Sequence, residues 1–415
     1  MHSAGALLFS ALTLPLAASQ PVFPGAQGFG VETPAGRGGQ ILRVTNLNGE
    51  GPGSLRAAID AKGPRIVVFE VAGVIDLNMK PLVISEPFIT IAGQTAPSPG
   101  ITLIRAGIDI TTHDVLLQHI RVRMGDAGQP KRSGWEPEVT TKGPQCYNIV
   151  VDHCSMSWAV DENLSASGPR YNGPEGTTRN VTFSNNIIAE GLRNSSHSKG
   201  PHSKGTLVHD YCRNIAIIGN LYAQNDDRNP YFKAFTTGVI VNNVIYNPGR
   251  YAIEVNWVPA EWEGRNVTPQ NARVAVVGNV VIRGPNTPPT LAAVSRKGDV
   301  FLEDNLSLDR DGKPAPMIAG EINLLPDKPV WPAGLKAMPA KDTVAWVIAH
   351  AGARPKDRDE VDQRIVRDFQ RREGRFIDSQ DEVGGYPQAK TVRRILNIPK
   401  QNVEAWLAKL AAELE

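Results

Sequence analysis

The stretch from Asn214 to Lys233, NIAIIGNLYAQNDDRNPYFK, decides the fold. It opens as an alternating apolar run with Ile215 and Ile217, bends at Gly219-Asn220 and resumes with Leu221-Tyr222. It then turns polar and charged through Asn225, Asp226, Asp227, Arg228, Asn229 and Pro230. The unit is a short strand, a bend carrying an asparagine, a second strand, and a loop with a cation beside a proline.

Working outward, the same unit recurs. FITIAGQTA starts at 88, DVLLQHIRVR at 114, NIVVDHCSMSW at 148 and NVTFSNNIIAE at 180. GVIVNNVIYN follows at 238, RVAVVGNVVI at 273 and DVFLEDNLSL at 299. The spacing is irregular, as expected for loops of varying length hung on a fixed coil. One such turn cannot bury its inner face, whereas stacked turns can. Asn186, Asn220, Asn243, Asn279 and Asn305 fall at the bend in successive copies. Asparagine tolerates a left-handed bend, and stacked amides can hydrogen-bond from rung to rung. A structural asparagine ladder inside the coil is therefore expected.

Before the repeats, Ser54 is placed to cap a short helix, LRAAIDA, that can close one end of the stack. After about Gly320 the pattern changes. A proline-rich stretch leads to amphipathic helical segments, one with Val361, Ile365 and Phe369 on one face. These are expected to pack on the coil and cover its far end. The resulting division is 1–19 as a signal peptide, 20–320 as the coil and 321–415 as a helical extension.

The chain has 415 residues, with 41% hydrophobic and 21% charged residues and a net charge of +2. That balance announces neither nucleic acid nor a membrane, so any groove for an acidic polymer must be local. The first residues form an apolar run ending at Ala18-Ser19-Gln20, which reads as a cleaved secretory signal and predicts an extracellular, soluble protein. Five Asn-x-Ser/Thr triplets, at Asn163, Asn180, Asn194, Asn266 and Asn305, offer glycosylation acceptors, although several lie within strand patterns. Cys146, Cys154 and Cys212 allow at most one disulfide or remain as buried thiols.

Three stretches carry a family resemblance: GFGVETPAGRGGQILRVTNLNGEGPGSLRAAI near the start, VVDHCSMSW in the middle, and Arg228-Asn229-Pro230. With them the chain resembles polysaccharide lyases of the pectate lyase type, in particular the secreted pectate lyase C branch. The resemblance implies an all-β, right-handed parallel β-helix with a short N-terminal cap helix and C-terminal helices. It also implies calcium-assisted β-elimination of 1,4-linked polygalacturonate, as found in pectin, and a monomer with neither nucleic acid nor membrane as partner.

Arg228 matches the arginine of the family's R-x-P motif, where it serves as the base. A guanidinium normally stays protonated, so neighbouring cations would have to lower its pKa. An ion pair with Asp226 or Asp227 is the plain alternative. The motif's second arginine is Lys233 here, a substrate-binding candidate. The family's metal carboxylates match Glu138 and Asp161, while a third falls at Ser165, so Asp152 or Glu162 would have to compensate. Asp152 could equally be a structural hydrogen-bonding group. Arg193 and Lys199 are candidates for gripping the substrate carboxylate, and His197, His202 and Lys204 in HSKGPHSKG for binding an anionic sugar. A plain solvated loop is the alternative reading of that stretch.

Two other classes remain open from the residues alone. Asp226-Asp227 is similar to the paired acids of β-helical glycoside hydrolases. A non-catalytic glycan-binding β-helix would also use a His/Lys loop. The segment DRDG at 309–312 resembles the start of a calcium loop but lacks the closing glutamate, which favours a turn.

Overall fold

The structure is a computed structural model that describes residues 20–415, so the expected signal peptide lies outside the described residues. The repeat folds as a right-handed parallel β-helix with three faces per coil. In the coil that opens the sequence reading, the first face is Arg213–Ile218, the second Leu221–Ala223 and the third Tyr231–Phe232. Each strand pairs in parallel with its counterparts one coil before and after. Ile217, for example, pairs with Phe183 and Ile240. The long strand Val294–Glu303 pairs with Ile253–Val255 of the third face and with Arg273–Val277 of the first. It therefore joins those two stacks into one sheet of 18 strands, while the second face forms a separate sheet.

The bend asparagines form the expected ladder. The amide of Asn186 donates to Asn220 Oδ1 at 3.0 Å, Asn220 to Asn243 and Asn243 to Asn279 at 2.9 Å, and Asn279 to Asn305 at 3.0 Å. Each Oδ1 also accepts a backbone N–H from the previous rung, ending at Cys154 N. Each Nδ2 also donates to a carbonyl such as Phe183 O or Ile217 O. A buried amide column is stable because every donor and acceptor finds a partner. One detail differs from the sequence reading. The left-handed residue is the one before the ladder asparagine: Asn185, Gly219, Asn242, Gly278 or Asp304. The ladder residue itself returns to ordinary backbone, which turns its amide inward.

Ser54 Oγ accepts from Ala57 N at the start of the helix Leu55–Ile59, which buries Leu55, Ala58 and Ile59 on the first coil. Buried Arg65 donates to Ala58 O and Ile59 O and so satisfies the other end of that helix.

The C-terminal segment does not cover the far end of the coil as expected. The last strand, Ile318–Leu324, stays largely exposed. Helices Ala340–His350 and Glu360–Arg371 lie along the second face instead. Val347, Val361, Ile365 and Phe369 pack there on Leu221, Ala223, Val244 and Tyr246. The reason is visible in the strands. Ile188, Tyr222 and Ile245 fill the inner core, and their neighbours are apolar as well, so this face needs cover on both sides. The chain then returns to the first coils. Val392–Arg393 pairs antiparallel with Val71–Asp76, and helix Val403–Leu414 packs Leu407 with Ile66, Val68 and Ala92. A buried ion cluster pins the extension at mid-length. Arg123 donates to Asp362 at 2.7 Å and to Asp359 at 3.1 Å, and Ser155 donates to Asp362.

Cys146, Cys154 and Cys212 are all buried free thiols. Among the triplet asparagines only Asn266 is exposed, while Asn163 and Asn305 are occupied in hydrogen bonds within the coil. Asp309 Oδ1 accepts from the backbone N–H of Asp311 and Lys313, so DRDG is a turn. No helix among the described residues is long and apolar enough to cross a membrane.

Candidate active site

The corner between the second and third faces carries the long loops, and there the charged residues gather. A cleft of about 250 Å³ is lined by Glu138, Asp161, Glu162, Arg170, Lys199, His202, His209, Arg228, Lys233 and Glu261 among others. Glu162, Lys204 and Asp227 sit in register on successive coils, joined by isolated parallel bridges. That register brings residues distant in sequence to one place.

The loop bearing Arg228 rests on a second amide chain that sequence reading missed. Asn163 donates to Asn225 Oδ1 and Asn225 to Asn229 Oδ1, both at 3.1 Å and buried. Asn163 was visible only as a glycosylation triplet, and Asn225 and Asn229 only as loop polarity. Gly205 passes beneath, where a Cβ would come within 2.5 Å of Arg228 O. Thr206 N donates to the same carbonyl at 2.6 Å. Arg228 itself has φ 61°, a left-handed conformation that this scaffold must hold in place.

The Arg228 guanidinium forms an ion pair with Glu162 and lies 3.8 Å from Asp227. Its pKa is lowered, and burial is the cause, opposed by the charges of Asp161 and Glu254. Burial therefore lowers it before any cation is bound. The ion pair is also with Glu162 rather than chiefly with either aspartate of the same loop.

Glu138, Asp161 and Glu162 can each offer an oxygen with all three within 4.8 Å of one another. Burial pushes the Glu138 carboxyl up to about 7, assisted by the charge of Asp161 and opposed by Lys142. Burial works to raise Asp161 too, but hydrogen bonds from His197 and His202 and the charge of Arg228 hold it well below the usual carboxylate range. Crowded carboxylates whose affinities for a proton are driven apart fit a hard divalent cation, which takes oxygen donors. Ser165, at the family's carboxylate position, instead accepts from Leu207 N at 3.3 Å.

Asp152 does not join this cluster. It lies fully buried at the ladder corner, where it accepts from Gln118, Ser184 and Asn185 and pairs with His153. The alternative structural reading of Asp152 is therefore the right one. Arg193 is also elsewhere. It lies 3.8 Å from Asp226, with its guanidinium over the Phe376 ring. Lys204 is buried, with its ammonium committed to Asp227 at 2.7 Å. His197 stands behind Asp161, between it and Glu136, and stacks on His202, which reaches the cleft. Lys199 is exposed on the rim. Lys233 lines the wall but is held by Glu261 at 2.5 Å and Asp210 at 3.4 Å. Arg170, His209 and Glu261 also line the cleft, and no sequence signal singled them out.

No protein-family model matches the chain. Curated relatives do. A probable pectate lyase C of Aspergillus flavus is 34% identical over 377 residues, covering 88% of this chain and 81% of that protein. The probable pectate lyase C of Aspergillus terreus is 34% identical over 396 residues, covering 92% and 85%. Among solved structures, the major allergen from cedar pollen aligns with a TM-score of 0.55 at 16% identity, covering 79% of this chain and 92% of that one. A pectate lyase bound to hexasaccharide aligns with a TM-score of 0.54 at 14% identity, covering 81% and 99%. These structural neighbours share the coil. Sequence identity of 34% across 88% of its length makes the chain a member of the pectate lyase C family of polysaccharide lyases.

Proposed function

We propose that the protein cleaves 1,4-linked polygalacturonate by calcium-assisted β-elimination, with Arg228 as the base. The observation that carries this reading is the meeting of Arg228 with Glu138, Asp161 and Glu162 in one cleft. The elimination removes the proton at C5 of a uronate. The C–H electron pair becomes the C4–C5 double bond, the bond from C4 to the glycosidic oxygen breaks, and that oxygen leaves with a proton. Glu138, Asp161 and Glu162 are the residues that would hold Ca²⁺. Bound there, the ion would make the C5 proton more acidic by neutralising charge on the adjacent carboxylate.

The other steps belong to the chain itself. Arg228 is half-buried, and desolvation lowers its pKa, which moves a guanidinium toward the range of a usable base. Glu162 is its closest carboxylate partner, so commitment of Glu162 to a cation would leave burial to dominate. Lys199 and His202 lie on the cleft wall and suit the binding of uronate carboxylates. Lys233 and Arg170 suit that role too, and Glu261 holds both in position. Action outside the cell is the setting that the apolar N-terminal run supports.

The hydrolase reading loses its acids. Asp227 is neutralised by Lys204, and neither it nor Asp226 lines the cleft. The deciding experiment incubates the protein with polygalacturonate, with and without a calcium chelator, and follows ultraviolet-absorbing unsaturated product. Saturated oligomers would overturn the proposal in favour of hydrolysis. Polymer binding without cleavage would reduce the protein to a glycan-binding coil.

A further inference from the structure

A second group of metal-ligating side chains lies at the ladder corner and shares no residue with the cleft. His119 and His153 occupy the left-handed position of two successive coils, the position that Asn185 and Gly219 hold in the coils that follow. Their rings stack with centroids 5.3 Å apart. Over them lies Glu415, following helix Val403–Leu414, with Oε1 3.7 Å from His119 Nε2 and 3.6 Å from His153 Nδ1.

The ring nitrogens divide in a telling way. His119 Nδ1 bonds to Ala353 O at 2.6 Å, and His153 Nδ1 to Asp152 Oδ2 at 2.8 Å. A carbonyl and a carboxylate accept, so both Nδ1 atoms carry hydrogen. Nε2 of each ring is buried and has no partner. His119 is wholly inaccessible, and its Nε2 has no hydrogen-bond donor or acceptor in reach. Unpartnered buried polar atoms are costly, and two together beside a carboxylate require an explanation.

We propose that His119, His153 and Glu415 form a binding site for a borderline divalent cation of the Zn²⁺ type. One nitrogen from each histidine and one carboxylate oxygen lie within 4.8 Å of one another. Tetrahedral bonds of about 2.0–2.1 Å put ligand atoms roughly 3.3 Å apart, close to the 3.7 Å between Glu415 Oε1 and His119 Nε2, while Glu415 would have to move from His153 Nδ1 toward Nε2. Two imidazoles and one carboxylate suit zinc, whereas Ca²⁺ takes oxygen ligands in larger number. The second shell is also in place. A histidine ligand characteristically donates its other N–H to a carboxylate or carbonyl, as His153 and His119 do to Asp152 and Ala353. Gln118 donates to Asp152, and Gln94 to Gln118, which extends that support. A cavity of about 190 Å³ lined by Gln94, Gln118 and Glu415 adjoins the site on its Glu415 side. Bound there, the metal would clamp the last helix to the coil, independently of catalysis.

The test strips the full-length protein of metal and titrates Zn²⁺, or Co²⁺ for its visible spectrum, in excess Ca²⁺. The wild type should bind one equivalent, melt at a higher temperature, and give a tetrahedral Co²⁺ spectrum. Glu415→Gln and His119→Gln should each weaken binding at least about tenfold. Because His119 is fully buried, Glu415→Gln decides should that variant fail to fold. His202→Gln should leave the equivalent in place, which separates this site from the Asp161, His197 and His202 group at the cleft. Absence of binding in the wild type would overturn the proposal. So would loss of binding in His202→Gln with Glu415→Gln unaffected.

Discussion

The two polar corners of the coil use buried side chains in opposite ways. At the ladder corner, Asn186 to Asn305 are neutral amides, each donor and acceptor matched to the rung above or below. At the cleft corner, Glu138 is pushed up to about 7, Asp161 is held down and Arg228 is lowered. The first arrangement repeats and needs nothing from outside the chain. The second gathers paired opposite charges with displaced proton affinities in an open cleft, which is characteristic of a site that receives a ligand. The Asn163–Asn225–Asn229 chain shows how the two are joined, since amides satisfied in the ladder manner carry the loop that presents Arg228.

The comparison breaks most directly at Arg228. Arg228→Lys keeps a positive charge but loses the planar fork. If Arg228 is the base, kcat should fall at least about 100-fold with little change in KM. A loss mainly in KM would make it a clamp for the substrate carboxylate.

At the ladder corner the expected effect is on stability. Asn220→Ala removes the acceptor of Asn186 N and Nδ2 and one donor to Asn243 Oδ1, and should cost about 1–3 kcal/mol, read by denaturant unfolding, with activity per folded molecule retained. An unchanged midpoint would mean that the column is not what holds the coils in register.

A smaller change tests the carboxylates. Asp161→Asn should raise the Ca²⁺ needed for half-maximal cleavage at least about tenfold while the unfolding midpoint in excess Ca²⁺ stays close to wild type. Wild-type activity at limiting Ca²⁺ would remove Asp161 from the ligand set.

The smallest effect concerns pH. Glu138 is raised from an ordinary 4.5 to about 7 in the folded chain. Folded and unfolded forms are both protonated below about pH 4.5, so its penalty is absent there and grows as pH rises toward 7. In the metal-free protein, stability should decline across that window, and Glu138→Gln should flatten the decline. Apparent Ca²⁺ affinity should rise over the same window by up to about tenfold per unit, because a proton must leave. A slope that survives Glu138→Gln would place the titrating group elsewhere.

The repeat of short apolar strands with an asparagine at each bend determined the coil and its ladder, because stacking is the only way such a unit can bury its inner face. The family resemblance, carried onto Arg228, Glu138 and Asp161, named residues that the fold gathers in the cleft. The path of the C-terminal segment was not legible, because amphipathic helices reveal an apolar face without revealing which surface receives it. Only the stacked second face, apolar on its outer side, drew them along the flank. The ligand set also waited for the tertiary structure. Asp152, Asp161 and Glu162 are neighbours in sequence, but the second-face strand Ser155–Ser157 lies between them and leaves Asp152 at the ladder corner and the other two at the cleft. Charge pairing was equally hidden, since Arg228 meets Glu162 and Lys204 meets Asp227 through the register of successive coils. Sequence spacing sets the period of a coil, but which side chains touch across coils depends on the lengths of the loops between them.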